Sequence, residues 1–401
     1  MTKWTTLARL HNEDVFVVSD LHLSNGRTLE NFCSDELFNN FVTDHLSIRA
    51  ESRKRTLVIA GDFIDFPRMI EERTTSPRKQ GSTQIESIGR ARDAIAAHPM
   101  VFAALNRHLG DGHQLVLLAG NHDVDLFWPG VRDTLAEALG DPSAHLLTFP
   151  DTWSICDRGI AIEHGHQYSY DNRFSQFPPF FDPTHLERPW GTYFMEAVYN
   201  SIESFAPWVH MVHPASKAFQ LAVRHRGWDK IPPPLLPATL AFFTAHGKRM
   251  MLEQLLGTTV TTVDNNDLSA AETVLGDLSW VSDEVRWAAR QILHNGVADP
   301  RLGRTDERGQ SNTANALLTL ALANVHTVIF GHTHYAKRVL HQGGRKAEIN
   351  TGTWIGHIPL EAGPMPSFEA LAAAAANPTH RRSYAYCGPN EQLGVLETYA
   401  P

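Results

Sequence analysis

The sequence predicts an α/β layered protein whose ligands sit outside the carboxyl ends of its strands. Three observations lead there. Short β-branched and apolar runs recur along the chain, five of them stop at a cluster of Asp, Asn or His, and helical pattern fills the gaps between the first three.

In order, Val15-Phe16-Val17-Val18 runs into Ser19-Asp20-Leu21-His22, and Leu57-Val58-Ile59-Ala60 runs into Gly61-Asp62-Phe63-Ile64-Asp65. Leu115-Val116-Leu117-Leu118 leads to Ala119-Gly120-Asn121-His122-Asp123. Ile160-Ala161-Ile162 precedes Glu163-His164-Gly165-His166, and Val328-Ile329-Phe330 precedes Gly331-His332-Thr333-His334. Each run reads as a short buried strand with its polar cluster on the following loop. Helices are expected around Asp35 to Ile48 and Ile85 to Leu109. After His334, strands are expected at Ala347 to Asn350 and Leu393 to Leu396, and an alanine-rich helix over Phe368 to Ala376.

Between the fourth and fifth clusters the pattern changes. Prolines accumulate, including Pro178-Pro179 and Pro232-Pro233-Pro234, between apolar helical pieces at Tyr193 to Phe205, Leu240 to Leu256 and Ala270 to Leu293. The expected organisation is therefore a core made of residues 1–167 and 324–401, interrupted at 168–323 by a largely helical insertion or cap.

Bulk properties restrict the function. At 401 residues, 42% hydrophobic and 20% charged, the chain is long and apolar enough for a sizeable core. Its 35 Lys plus Arg against 44 Asp plus Glu give no general attraction to polyanions, which disfavours a nucleic-acid partner. Cys33, Cys156 and Cys387 form no CxxC pair, which excludes a disulfide framework and suits a reducing compartment. No apolar signal core follows Met1 and no run of about 18 apolar residues occurs, so a cytoplasmic protein without a membrane span is expected.

A lone Asp-x-His or His-x-His means little, because exposed histidines are common. Five such clusters, each at a strand end, are hard to explain structurally. Carboxylate, amide and imidazole donors in this mix suit manganese, iron or zinc rather than calcium. In Asp20-Leu21-His22 and His332-Thr333-His334, alternate residues of an extended segment point the same way and reach one centre. Glycines before Asp62, Asn121 and His332 permit sharp exits and close backbone approach.

This ordered set, DxH, GDxxD, GNHD, HGH and GHTH, resembles the signature of the calcineurin-like metallophosphoesterases. The resemblance spans Asp20 to His334 but leaves the 168–323 segment out. It implies a four-layer αββα sandwich around two divalent ions, manganese first, with iron, zinc or magnesium as alternatives. One ion would be held by Asp20, His22, Asp62 and His334, the other by Asp62, Asn121, His164 and His332, with Asp62 bridging. The implied reaction is hydrolysis of a phosphate mono- or diester by water activated between the ions. His122 would contact a phosphoryl oxygen or protonate the leaving group, oriented by Asp65, with Asp123 as a supporting anion behind an imidazole. His166 and Arg173 are candidate substrate contacts, and Asn350 to Trp354 reads as a turn with a buried tryptophan. Oligomeric state has no signal here.

Other branches fit less well. The lipid A pathway pyrophosphatases, acting on a UDP-linked diacylated sugar, would need an apolar groove, for which Phe194 to Phe205 and Leu240 to Phe243 are available. They typically carry Arg where this chain has His122. A nuclease would want a basic stripe with interleaved aromatics. A metal-poor scaffold of the same fold usually loses motif residues, and all of them are present here.

Overall fold

The first three strands are apolar along most of their length because both of their faces are covered. The computed structural model describes residues 13–27, 29–70, 80–141, 145–169, 172–203, 206, 208–213, 324–359, 366–376, 378–389 and 393–400. In chain order the core strands are β1 (Asp14–Val18), β2 (Arg55–Ala60), β3 (Gln114–Leu118), β4 (Leu147–Thr148), β5 (Ser154–Asp157) and β6 (Ile160–Glu163). A small hairpin, β7 (Phe180–Asp182) and β8 (His185–Leu186), and β9 (Val212–His213) follow. The chain then forms β10 (Thr327–Phe330), β11 (Lys337–His341), β12 (Lys346–Asn350), β13 (Ile358–Pro359), β14 (Ser383–Cys387) and β15 (Val395–Thr398).

Two sheets result. One has the order β15-β14-β1-β2-β3-β4 and the other β11-β12-β10-β6-β5. Their facing sides interdigitate: Val15, Val17, Val58, Ala60, Val116 and Leu118 meet Ile155, Ile160, Ile162, Ile329 and Ile349. On the opposite face of the first sheet, Phe16, Val18, Leu57, Ile59, Leu115 and Leu117 pack against helices. The strict two-residue alternation thus assigns each side chain to one of two apolar layers. On the outer side of the second sheet Ala161, Val328 and Phe330 cluster with Val325 and Tyr168. The layer expected over that face falls outside the described residues.

Parallel pairing positions the site. β1, β2, β3 and β4 run parallel, as do β6, β10 and β12. Their carboxyl ends therefore open at one edge of each sheet, and all five sequence clusters leave from those ends.

The expected helices occur with two local changes. Asp35 to Arg49 is helical but passes through a π-helical turn at Phe41–His45. The single helix expected over Ile85 to Leu109 is two, Gln84–Ala97 and Pro99–Gly110. Pro99 has no N–H to continue the first helix and a φ suited to starting the second. A reciprocal Thr83–Glu86 capping box opens the first. The alanine-rich helix spans Phe368–Ala375. Between the fourth and fifth clusters, the proline-containing stretch 172–189 carries the β7–β8 hairpin, and Trp190–Glu203 is helical, overlapping the piece expected at Tyr193 to Phe205. The helical pieces expected at Leu240 to Leu256 and Ala270 to Leu293 lie outside the described residues, as does the apolar stretch Leu240 to Phe243. Among the described residues no helix is long and apolar enough to cross a membrane.

At the joint between the two helices, His98 reaches Asp35 Oδ1 through Nδ1 (3.0 Å) and Glu30 Oε2 through Nε2 (3.1 Å). Glu30 also accepts the N–H groups of Ser24, Gly26, Asn31 and Phe32, so it organises the loop that follows the first cluster. Burial opposes the charge on His98, but the two carboxylates outweigh it and raise its pKa from 6.5 to about 9. Because the folded value lies above the unfolded one, the contribution is complete below about pH 6.5 and is lost as pH rises through about 9. Accordingly, His98→Gln should cost about 1–3 kcal/mol in urea unfolding at pH 6, with the gap to wild type narrowing toward pH 10. A gap that stays constant across that range would show that His98 is not the charged partner.

Candidate metal centre

The polar clusters converge because their loops are tied together. Asp20 N–H donates to the Gly61 carbonyl (3.1 Å) and His22 N–H to the Asp62 carbonyl (2.9 Å), extending the β1–β2 pairing past the strand ends. Gly331 N–H donates to the His164 carbonyl (3.1 Å), and His332 N–H to Asp20 Oδ2 (3.0 Å), which joins the second sheet to the first. Asp20, His22, Asp62, His332 and His334 all have positive φ, between 53° and 71°. Such backbone is strained for residues with a Cβ and persists only where surrounding contacts enforce it. Glycines provide the room. A Cβ on Gly120 would overlap the Asp62 carboxylate and lie 2.9 Å from the His164 ring, and one on Gly61 would enter the same imidazole.

Three groups of donors result, each with its donor atoms within 4.8 Å of one another: Asp20, His22 and His334; Asp62, His164 and His332; and His22, Asp62 and His122. His334 Nε2 lies 3.2 Å from Asp20 Oδ1 and 3.0 Å from His22 Nε2. His164 Nε2 lies 3.1 Å from Asp62 Oδ2, while its Nδ1 contacts the Ala60 carbonyl at 2.8 Å. The other ring nitrogen of His164 is thereby left for the site. Ser169 Oγ contacts His332 Nε2 at 3.0 Å in the same manner.

These residues fit divalent cations on an observation of their own. The side-chain oxygen of Asn121 is buried and lacks a hydrogen-bond partner among the described residues. Buried polar atoms are seldom left so. It points to ligation, and the donor set of carboxylates, imidazoles and one amide is that of a transition-metal site.

Electrostatics agree. Burial pushes the carboxyls of Asp20 and Asp62 upward, but His164 and the neighbouring imidazoles outweigh it and hold both well below the usual range. Burial opposes charge on His22 and His164 as well, yet the carboxylates raise them to about 10 and about 9. Protons on the imidazoles thus balance the buried acids in the metal-free protein.

The calcineurin-like phosphoesterase family model matches residues 14–336, most of the chain. The chain belongs to the calcineurin-like phosphoesterase family. Membership makes it a metal-dependent phosphoric ester hydrolase and implies divalent metal ions. Among solved structures, the phosphopantetheinyl hydrolase from Mycobacterium tuberculosis is similar at 11% identity and a TM-score of 0.26, covering 86% of this chain and 90% of its own. No curated protein matches the chain by sequence.

Around this phosphoesterase's donors stand the other residues singled out by sequence. Asp65 is fully buried and divides its carboxylate, Oδ1 to His122 Nδ1 at 2.8 Å and Oδ2 to His22 Nδ1 at 2.9 Å. His122 has 17% side-chain exposure, against 4% for His22 and none for His164, so it fronts the solvent side. Asp123 departs from expectation. Among the described residues it hydrogen-bonds no imidazole and instead accepts the N–H groups of Gly120 (2.6 Å), Phe63 (2.8 Å) and Asp62 (3.2 Å), capping two cluster loops at once. Burial, with Asp62 nearby, raises its carboxyl to about 7. His166 departs too: it is fully buried under Trp153 and Phe174, whose ring centroids lie 4.6 and 5.7 Å away, so it does not face an incoming substrate. Desolvation keeps it neutral. Arg173 is half-buried, with its N–H on the Ser169 carbonyl at 2.9 Å.

Sequence reasoning missed several supports. Ser19 bonds Asp20 and Thr351, Ser169 meets His332, and Arg68 meets Asp65. Ser19 and Arg68 lie within three positions of a cluster Asp, the only signal that could have found them. Asn350 to Trp354 is a turn with a buried tryptophan, and it also clamps the first cluster. Thr353 Oγ1 and Trp354 N–H both donate to the Asp20 carbonyl, at 2.7 and 3.2 Å.

A cation seated among these donors must displace the protons on His22 and His164. Manganese affinity should therefore rise with pH through about 9 and up to about 10, the values for His164 and His22. In calorimetric titration of metal-free protein at pH 7, the apparent enthalpy should scale with the buffer's ionisation enthalpy. Equal enthalpies in phosphate-free buffers of different ionisation heat would show the imidazoles already neutral.

Proposed function

We propose that this enzyme hydrolyses a phosphate mono- or diester of a small molecule or nucleotide at a dinuclear manganese centre. Asp20, His22, Asp62 and His334 would hold one ion, and Asp62, Asn121, His164 and His332 the other, with the Asp62 carboxylate shared. The observation that supports this best is the His122–Asp65 pair standing beside two groups of donors that share no residue. When bound, the ions supply activated water at neutral pH and offset charge on the phosphoryl oxygens.

The chain's own residues do the rest. Asp65 fixes the ring of His122 through Nδ1, which leaves Nε2 to meet the ester. From there His122 hydrogen-bonds a phosphoryl oxygen or delivers a proton to the leaving-group oxygen. Asp62 Oδ1 also accepts His122 N–H (2.9 Å), so the imidazole is referenced to the shared carboxylate by backbone as well. Arg173, on the loop that carries Ser169, is the guanidinium proposed to meet phosphoryl oxygens. Asp123 acts as an anchor of the cluster loops and not as a proton carrier.

Hydrolysis of bis-p-nitrophenyl phosphate and p-nitrophenyl phosphate by metal-stripped protein, with manganese restored, tests the reading. Release should depend on manganese and vanish in Asp62→Asn, with the preferred ester dividing diesterase from monoesterase. No release from protein shown to carry both ions would sink it for these esters. His122 also completes a donor group with His22 and Asp62, so its role needs its own test. His122→Ala should keep its metal content and lose about 10²–10⁴-fold in turnover. Loss of metal in that variant would instead make His122 a ligand.

A further inference from the structure

The contacts that begin at His122 do not stop at Asp65. Arg68 closes on that carboxylate twice, its backbone N–H on Oδ1 (3.2 Å) and its Nε on Oδ2 (3.2 Å). With His122 on Oδ1 and His22 on Oδ2, Asp65 then receives four donors, two on each oxygen. Four is the full acceptor capacity of a carboxylate, so its position and its plane are both determined.

Arg68 is itself held from the far side. Its guanidinium, 6% exposed, bonds the Leu29 carbonyl at 3.3 Å and forms a close ion pair with Glu203. Glu203 is 1% exposed and lies in the short helix Asn200–Glu203, within the segment that separates the fourth and fifth clusters. His210 Nδ1 stands 3.0 Å from its second oxygen. With its amide oxygen toward the guanidinium, Asn31 accepts from Arg68 Nη2 (2.7 Å) and donates to His210 Nε2 (2.8 Å). One turn before Glu203, Asn200 donates to the carbonyls of Pro67 (3.0 Å) and Ile70 (3.3 Å), fixing the backbone on either side of Arg68.

Such a buried ionic network is an expensive way merely to fasten a segment, since well-packed apolar residues do as well or better. Its cost is understandable where it directs a particular group. The Arg68 side chain meets the oxygen of Asp65 that also serves His22, and the other oxygen serves His122. We propose, on the phosphoesterase reading, that Arg68 and Glu203 are positioning residues for hydrolysis: the segment after the fourth cluster reaches behind the metal centre and, through Arg68, sets the Asp65 carboxylate that orients His122 and His22. The charge pattern is consistent, as burial raises the Asp65 carboxyl while His122 and Arg68 more than reverse it.

Arg68→Lys and Glu203→Gln test this, since lysine cannot span both carboxylates and glutamine keeps the size of Glu203 without its charge. Two measurements are paired. One is the imidazole proton–nitrogen correlation spectrum of metal-free protein, with the His122 signal assigned from His122→Asn. The other is kcat and KM on bis-p-nitrophenyl phosphate with manganese. Both variants should fold with unchanged far-ultraviolet circular dichroism and show a displaced His122 Nδ1 signal. In both, kcat should fall about 10–100-fold, as for other partners behind a metal site, while metal content is kept. KM should stay within about threefold, because an orienting group acts on the chemical step and not on ground-state binding. A His122 signal that does not move in folded Glu203→Gln and Arg68→Lys would overturn the proposal. So would a rise in KM or a loss of metal that accounts for the whole drop in activity. If Arg68→Lys does not fold, Glu203→Gln decides alone. Should wild-type protein cleave no ester, the esterase reading fails while the spectra still judge the clamp.

Discussion

Burying three carboxylates side by side is the constraint on which the rest of this structure depends. Asp20, Asp62 and Asp65 are all 1% exposed or less, and each would be costly without compensating charge. The chain answers with imidazoles on the site side, Arg68 behind Asp65, and backbone N–H groups from the cluster loops. Divalent cations complete the same balance. The folding problem and the chemical problem are therefore one problem, because the charges that make these acids tolerable are the charges that make the site reactive.

Geometry is obtained at the expense of local backbone preference. Five candidate ligands sit at positive φ, a conformation that residues with a side chain seldom adopt. Hydrogen bonds between loops of different strands hold them there, with Asp123 capping two of those loops and the turn at Thr353 and Trp354 gripping the first. Trp354 in turn is buried against Phe38, Phe41 and Tyr399, so the rigid helical layer stands directly behind the strained cluster. Strain at the site is thus matched by packing outside it.

Much of the fold and the site was legible because it is local. Apolar strands with polar ends announced β1, β2, β3, β6 and β10, and with β12 and β15 their boundaries were read to within about two residues, whereas β4, β5, β11 and β14 were not read. The donor residues were legible as well, since the chemistry of a metal site demands particular side chains and extended spacing brings alternate ones together. Two readings differ from the structure for one reason. Asp123 was expected behind an imidazole and caps amides, and His166 was expected to face substrate and lies beneath Trp153 and Phe174. In each, the outcome depends on neighbours supplied by distant parts of the chain.

By itself, then, the sequence determined the five strands that end in polar clusters, their apolar character, and which donors stand at their ends. Those properties follow from backbone periodicity and side-chain chemistry within a few residues. Only the tertiary structure decided who pairs with whom: Asp65 with both His22 and His122, Ser169 with His332, and Arg68 with a glutamate 135 positions away. Pairing is a matter of distance and direction in space, and a linear sequence carries neither until two sheets bring their strand ends to one edge.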